Sequence, residues 1–320
     1  MFARRGILIH PEEFEESWLD RVSDAGLNTL GLHPVGGRNA HVSLEEAVAA
    51  HPLPRFRLLR QRAAERGIQM EYEAHAMRWL LPRSVFRENP EWFRMNEAGE
   101  RTDDFNFCVS NSDALSYVAE RTQLLARLLD TGSDRYFFWL DDVSGFSCRC
   151  PECRRLSPSD QQLRAVNAML TGLRRYHPNA RLCYIAYGDA MDCPTRVEPL
   201  DGVFLEYAPI HRDSFAPLSD PDNEKNRRET RSIRELLSFF GRANSQVLEY
   251  WVDNSRFSGW KKPPKRLVLA EEVMKRDVEF YDSLGFESAA SFGCYLGEDY
   301  RALWGEPPVK RYGEILGGLS

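Results

Sequence analysis

The stretch "GILIHPEEFEESWLDRVSDAGLNTLGLH", residues 6–33, decides the fold of this chain. It begins and ends with short apolar runs, at 6–10 and 29–33, which are typical of buried strands. Between them, large apolar residues recur every four positions, which is the spacing of one face of a helix. These residues are Phe14, Trp18 and Val22. The sequence therefore opens with a strand, a helix and a second strand.

The same unit recurs along the whole chain. Apolar runs alternate with longer amphipathic segments, and most of the runs are continuously apolar, as expected of parallel strands buried on both faces. The runs that we predict as strands are 6–10, 29–33, 68–75, 136–142, 181–187, 202–207, 246–253 and 288–297. Eight such units in 320 residues predict one α/β domain over 1–320, a single (β/α)8 TIM barrel. A doubly wound sheet is the alternative, but "IHPEEF" lacks its glycine-rich first turn.

The composition indicates a soluble protein that binds neither nucleic acid nor membranes. The net charge is −6, and acids and bases are interspersed, so there is no basic stripe for a nucleic acid. The N-terminal apolar run is too short for a secretory signal, and no run reaches the length of a membrane span. We therefore expect a cytoplasmic protein. In that reducing compartment, seven cysteines favour metal binding over disulfide bonds.

The predicted strand ends carry carboxylates and aromatic side chains. Chemistry in a TIM barrel lies at the C-terminal ends of the strands, and our catalytic candidates there are Asp141, Asp142 and Glu249. Glycosidic bond cleavage needs an acid that protonates the leaving oxygen and a second group that attacks, activates water or stabilises the cationic centre. Each candidate also has a structural interpretation. One aspartate could cap a turn, and Glu249 could pair with an arginine.

Further polar and aromatic residues at these strand ends are candidates for binding a carbohydrate substrate, because aromatic faces suit the apolar faces of sugar rings. They are His10, His33, His75, Tyr187, Glu206, Tyr207, Arg212, Tyr250 and Trp251. The three histidines fit equally well as polar residues that close the top of the barrel.

Three cysteines follow the fourth predicted strand in the spacing C-x-C-x-x-C: Cys148, Cys150 and Cys153. A tetrahedral zinc ion needs a fourth ligand. Cys108 lies in the loop above the neighbouring third strand and is the best fourth ligand, with Cys193 as the next choice. Four thiolates leave no open position, so the zinc would be structural and would pin the loops after strands three and four. The alternative is a group of reduced thiols.

Several stretches resemble a known family. The segments "NPEWFRMNEAGERTDDFNFCVSN" (89–111), "FFWLDDVSGFSCRCPEC" (137–153) and "VLEYWVDN" (247–254) resemble a barrel domain long classed as of unknown function and now tied to glycoside hydrolase family 163, endo-acting β-N-acetylglucosaminidases of N-glycans. The four-cysteine arrangement is similar to the zinc cluster of family 42 β-galactosidases. The resemblance implies that Cys108, Cys148, Cys150 and Cys153 hold zinc.

The same resemblance implies that the fourth-strand acids and Glu249 carry catalysis. An enzyme that uses the acetamido group of its substrate would be expected to have an Asp-Glu pair where this chain has Asp141 and Asp142. We therefore expect a retaining glycoside hydrolase acting on a β-linked glycan that can contain N-acetylglucosamine. A non-catalytic carbohydrate-binding barrel is the alternative, and a hydrolase or lyase of an acidic sugar, with Arg212 as the carboxylate clamp, is the third.

Overall fold

The computed structural model describes residues 2–318 and contains a closed barrel of eight parallel strands in chain order, which confirms the predicted TIM-barrel class. The strands are β1 (Arg4–Ile9), β2 (Thr29–Leu32), β3 (Gln69–His75), β4 (Arg135–Trp139), β5 (Arg181–Ala186), β6 (Val203–Tyr207), β7 (Gln246–Glu249) and β8 (Ser288–Phe292). The helices are α1 (Glu16–Asp24), α2 (Ala40–Ala50), α3 (Pro54–Glu65), α4 (Met77–Leu80), α5 (Ser112–Leu128), α6 (Pro158–Arg174), α7 (Glu224–Thr230), α8 (Ile233–Phe240), α9 (Asn254–Phe257), α10 (Glu271–Leu284), α11 (Glu298–Trp304) and α12 (Val309–Leu316).

The chain divides into two compact units. Unit one comprises the chain up to His33, Pro54–Glu71 and the chain from Leu205 onward. Unit two comprises Pro34–Leu53 and Tyr72–Phe204. Along residues 2–318, no helix combines the length and the apolar character needed to cross a bilayer.

Unit one holds a parallel sheet in which β1 pairs with β2 and β8, and β7 pairs with β6 and β8. Of the apolar stripe predicted for the first helix, Trp18 and Val22 are buried on α1. Phe14 is also buried, but it lies before the helix, which begins at Glu16. Helix α12 packs directly against the end of α1. A Cβ at Gly313 would lie 2.0 Å from the carbonyl oxygen of Ala25, so only glycine permits this approach.

Unit two holds β4 between β3 and β5, with helices α5 and α6 packed against each other. A Cβ at Gly172 of α6 would lie 1.9 Å from the carbonyl oxygen of Ala119 on α5, so the two helices touch backbone to backbone. In this fold the helix N-termini lie at the same edge as the C-terminal strand ends. The close packing of α5 and α6 therefore brings together the loops that precede them.

The strands that lead to the site end earlier than the sequence predicted. Strand β4 ends at Trp139, β7 at Glu249 and β8 at Phe292. After β4 the backbone turns, because the N–H of Val143 donates to the carbonyl oxygen of Asp141. The two aspartates therefore lie in the loop directly after β4.

Candidate active site and cysteine cluster

Asp142 is held in place by three separate segments of unit two. Its Oδ1 accepts a hydrogen bond from the Tyr187 hydroxyl at 2.8 Å, and its Oδ2 accepts one from the backbone N–H of Gly37 at 2.8 Å. The Nε2 atom of His75 lies 3.8 Å from Oδ1. The Asp142 side chain is still 27% exposed. It is therefore an oriented carboxylate that a ligand can reach, at the strand end where TIM barrels carry out chemistry.

His75 is oriented by a hydrogen bond on its other ring nitrogen. Its Nδ1 lies 2.7 Å from the carbonyl oxygen of Leu140, which can only accept, so Nδ1 carries the hydrogen. The ring also packs edge-on against Trp139, with 4.9 Å between the centroids. These two contacts turn Nε2 toward Asp142. The predictions for His75 and Tyr187 remain untested as ligand contacts, but both side chains surround the same carboxylate.

Two glycines after β2 allow the backbone to approach Asp142. A Cβ at Gly36 would lie 2.9 Å from the Asp142 Oδ2 atom and 3.4 Å from Cδ2 of His75. Gly37 has a φ of +78°, a conformation that residues with a side chain rarely adopt. This contact was not predicted from the sequence, although the pair "GG" after a predicted strand is a turn signal.

Asp141 is buried in an ion pair, in contrast to its neighbour. Its side chain is 4% exposed, and its Oδ2 accepts from Nη2 of Arg83 at 2.9 Å and from the N–H of Asn106 at 2.6 Å. The Asp141 N–H donates in return to Oδ1 of Asn106 at 3.0 Å. Asp141 therefore anchors the long loop after β3. Nothing in the local sequence singled out Arg83 or Asn106 as its partners.

A cavity of about 50 Å³ in unit two adjoins Asp141 and two of the residues that surround Asp142, His75 and Tyr187. This volume suits a few water molecules or one small substituent of a ligand. Its wall includes His75, Trp139, Asp141, Phe146, Tyr187 and Asp189. The wall combines aromatic faces with carboxylates, as a sugar-binding surface requires.

The four cysteines predicted to bind metal lie together. All four are buried, and their Sγ atoms lie within 4.8 Å of one another. The Sγ atom of Cys108 is 3.7 Å from that of Cys150 and 3.9 Å from that of Cys153. A tetrahedral zinc with Zn–S bonds of about 2.3 Å would place its sulfurs about 3.8 Å apart. The donor set and its spacing therefore fit zinc, and Cys108, not Cys193, completes the set of four.

Neighbouring groups hold these sulfurs. The N–H of Met95 donates to the Cys148 sulfur at 3.3 Å, and the N–H of Cys153 donates to the Cys150 sulfur at 3.4 Å. Gln161 of α6 braces the loop, because its Nε2 donates to the carbonyl oxygens of Cys148 and Cys153 and its Oε1 accepts from the N–H of Cys148. Such contacts orient metal ligands. No local pattern in the sequence singled out Gln161.

Ionisation of the cluster also fits a cation. Hydrogen bonds from Cys148 and Cys153 lower the pKa of Cys108. The same contact with Cys108 raises the pKa of Cys148 to about 11. The sulfurs therefore influence one another's ionisation, as expected of thiols that lie close enough together to share a metal ion.

Glu249 lies in a fully buried ionic network of unit one. Its Oε1 accepts from Nη1 of Arg212 and from the hydroxyl of Tyr281, each at 2.7 Å, and its Oε2 accepts from the N–H of Tyr250 at 3.1 Å. The Nη1 atom of Arg212 also lies 2.6 Å from Asp277. The carboxylate is 0% exposed and faces α10, which contributes Tyr281 and Asp277. This arrangement favours the interpretation in which Glu249 pairs with an arginine. Arg212 in turn has two carboxylate partners within the chain, Glu249 and Asp277.

Three of the other predicted sugar-binding residues pack against helices or in the core. The Tyr207 hydroxyl donates to the carbonyl oxygen of Glu229 on α7, and Nε1 of Trp251 donates to Asp277 on α10. Glu206 is buried and accepts from Nε2 of Gln246. These polar contacts are all made within the protein, and the three side chains are at most 7% exposed; their roles in sugar binding stay predictions.

The remaining predicted binding residues form an aromatic group in unit one. His10 and His33 have ring centroids 5.9 Å apart, and Nδ1 of His10 contacts the carbonyl oxygen of His33 at 2.8 Å. His33 packs edge-on against Phe292, and Tyr250 stacks on the same ring at 5.3 Å. The structure brings these three predicted residues together through Phe292, which the sequence analysis had not named.

The fold is that of TIM-barrel glycoside hydrolases. Similar solved structures include a β-galactosidase from Rahnella sp. R3, with a TM-score of 0.55 and 13% identity, and an O-GlcNAc hydrolase from Thermobaculum terrenum, with a TM-score of 0.57 and 11% identity. A third is PbGH5A, a glycoside hydrolase family 5 enzyme from Prevotella bryantii B14, with a TM-score of 0.52 and 10% identity. The matches cover 99%, 100% and 96% of this chain, respectively. At such identities the likeness concerns the fold alone.

The profile of a family described as a domain of unknown function, DUF4838, matches residues 48–287, and the chain belongs to this family. The chain spans 56% of the galactosidase, 61% of the O-GlcNAc hydrolase and 86% of PbGH5A. No curated protein is detectably similar to it in sequence.

Proposed function

We propose that this chain is a glycoside hydrolase that cleaves β-linked N-acetylglucosaminides, with Asp142 as the residue that transfers the proton. The observation that carries the proposal is the geometry of Asp142, a partly exposed carboxylate at the end of β4 that Tyr187 and Gly37 orient. The glycosidase fold supports it, and so does the likeness to an O-GlcNAc hydrolase. The resemblance of 89–260 to family 163 points to the same substrate class.

Asp142 would act as general acid and then as general base. The acetamido oxygen of the substrate attacks C1 while the C1–O bond to the leaving group breaks, and the leaving oxygen takes the proton of Asp142. The product of this step is a cyclic oxazolinium ion, which keeps the hydrogen of the amide nitrogen. The Asp142 carboxylate then accepts a proton from water, which attacks C1 and opens the ring. Two inversions at C1 give net retention.

The substrate's own acetamido group is favoured as nucleophile because neither of the other catalytic candidates presents a free carboxylate. Asp141 is held by Arg83 and Asn106, and Glu249 is held by Arg212 and Tyr281. In this mechanism Asp141 is a positioning residue that holds the loop after β3 beside Asp142.

We further propose that Cys108, Cys148, Cys150 and Cys153 bind one structural zinc ion. The four buried sulfurs, their spacing and the N–H donors directed at them support this assignment. The ion would take no part in bond cleavage, because four thiolates leave it no open position. Its contribution is to join the loop before α5 to the loop before α6, directly behind the Asp141–Asp142 turn.

The test is turnover of aryl β-N-acetylglucosaminides with good and poor leaving groups. General acid catalysis contributes about 10²–10⁴-fold, so Asp142→Asn should lose turnover of that order on the poor leaving group and much less on the good one. Asp103→Asn, which changes an exposed aspartate of the same unit, is the matched control and should keep wild-type turnover. Full activity of Asp142→Asn on the poor leaving group would exclude it as the acid. NMR of the first product should show the retained β-anomer.

A non-catalytic carbohydrate-binding barrel is the second candidate. The ion pairs of Asp141 and Glu249 favour it, because they leave Asp142 as the one exposed carboxylate among the three catalytic candidates. If the protein is a binding barrel and not an enzyme, the wild type should bind glycans measurably but turn over none of the aryl glycosides in the turnover test.

A further inference from the structure

Two arginines lie next to the segments that hold Asp142. Arg38 directly follows Gly37, whose N–H binds Asp142, and Arg78 lies on α4, three residues after His75. Nη1 of Arg78 donates to the carbonyl oxygen of Arg38 at 2.9 Å. The guanidinium carbons of Arg38 and Arg78 lie 5.8 and 5.7 Å from the ring centroid of Phe105. The two positive charges therefore share one aromatic ring.

Neither of these charges has an acidic partner. Two other arginines on this side of unit two are paired, Arg83 with Asp141 and Arg94 with Asp104. Between residues 2 and 318, no carboxylate forms an ion pair with Arg38 or Arg78. Two like charges on one ring repel each other, so an anion from outside the chain would be stabilised between them.

The donors of Arg78 are arranged for an oxyanion. Because Nη1 is taken by the carbonyl oxygen of Arg38, the edge formed by Nε and Nη2 remains. Within residues 2–318, Nε of Arg78 is a buried donor that has no hydrogen-bond partner. A buried donor left without an acceptor costs about 1–3 kcal/mol. Carboxylates and sulfates fit such an edge with two parallel hydrogen bonds.

Arg83, which is paired with Asp141, lies close enough to Arg78 to feel its charge. Burial lowers the pKa of Arg83, Asp141 opposes that shift, and the positive charge of Arg78 lowers the pKa further. Arg38 is exposed and Arg78 is half-buried, so an anion can reach the first while the second is already held in position.

We propose that Arg38 and Arg78 bind an oxyanion, a carboxylate or a sulfate, carried by the sugar residue next to the bond that is cleaved at Asp142. The proposal rests on the proposed function for the location of the sugar. It makes this protein selective for acidic over neutral glycans. It also assigns the recognition of an acidic sugar to Arg38 and Arg78 in place of Arg212, whose guanidinium contacts Glu249 and Asp277.

The test is a binding measurement with monosaccharides, which have no glycosidic bond to cleave. Titration calorimetry at low salt would compare glucuronate and N-acetylglucosamine 6-sulfate with their neutral parents, glucose and N-acetylglucosamine. We expect the wild-type protein to bind at least one anionic sugar about tenfold more tightly than its parent, which corresponds to about 1.4 kcal/mol. Tighter binding of glucuronate than of glucose would identify the anion as a carboxylate. Tighter binding of N-acetylglucosamine 6-sulfate than of N-acetylglucosamine would identify it as a sulfate.

Arg38→Gln and Arg78→Gln should each remove this preference and leave the affinity for the neutral parents unchanged. Arg127→Gln is the matched control, because Arg127 is also an exposed arginine over an aromatic ring, 5.3 Å from the centroid of Tyr176, and it should keep the preference. Since Arg38 is exposed, its substitution is expected to leave folding intact even if Arg78→Gln does not.

A wild-type protein that binds acidic and neutral sugars equally would overturn the proposal, and so would a preference that survives both substitutions. The outcome is separable from that of the proposed function. If the protein prefers acidic sugars but cleaves no glycoside, the anion-site proposal is supported and the proposed hydrolase function is refuted. If the protein cleaves N-acetylglucosaminides but binds acidic and neutral sugars equally, the hydrolase function is supported and the anion-site proposal is refuted.

Discussion

Replacing Glu249 by glutamine decides whether the β7 carboxylate is structural or catalytic. The carboxylate is 0% exposed and accepts two hydrogen bonds of 2.7 Å, from Arg212 and Tyr281. Removing one partner of a buried ion pair costs about 3–5 kcal/mol. Arg212 would retain Asp277 at 2.6 Å, so we expect the lower end of this range, about 3 kcal/mol. For a chain of this size that corresponds to a fall in Tm of roughly 5 °C or more.

The assay combines thermal unfolding with turnover measured well below the unfolding temperature. Glu249→Gln should unfold earlier and keep turnover within a few-fold of wild type, because the carboxylate faces α10 and contacts no ligand in the proposed mechanism. Glu279→Gln, which changes an exposed glutamate on the same helix, should alter neither quantity. If Glu249→Gln instead unfolded like wild type and lost turnover by orders of magnitude, Glu249 would be a catalytic carboxylate and the structural interpretation would be wrong.

Two further predictions concern the cysteine cluster and Asp160, in the first turn of α6. Cys150→Ser should abolish stoichiometric zinc in elemental analysis and lower Tm, whereas Cys193→Ser should keep the metal; zinc retained by Cys150→Ser would contradict the four-thiolate site. Burial alone would raise the pKa of Asp160, but hydrogen bonds from the Arg196 N–H and the Ser157 hydroxyl lower it below its ordinary value. Because the folded pKa is the lower one, this stabilisation is present above the unfolded pKa of about 3.9 and is lost as the pH falls through the folded pKa. Asp160→Asn should therefore lower Tm at pH 7 and differ less from wild type near pH 3, and a difference independent of pH would refute this.

The sequence by itself determined the repeating units and the group of four cysteines that we propose to bind zinc. The four-residue recurrence of Phe14, Trp18 and Val22 predicts a buried helix face. All three residues are buried, with Trp18 and Val22 on α1 and Phe14 just before it. Continuous apolar runs predict strands that are buried on both faces. Cys108 could be chosen as fourth ligand because loops after consecutive barrel strands are neighbours. These features depend on local periodicity and chain order, which a sequence carries directly.

Only the tertiary structure decided which strand-end acid is accessible. Asp141 and Asp142 lie in the turn after β4, where strand alternation no longer fixes side-chain directions. Packing of the surrounding loops buries Asp141 and leaves Asp142 partly exposed, and packing against α10 buries Glu249. Their partners are also distant in sequence: Gly37 is 105 residues from Asp142, and Arg212 is 37 residues from Glu249. A buried carboxylate is stable only beside such partners, and their positions are set by packing of the whole chain, which no local pattern records.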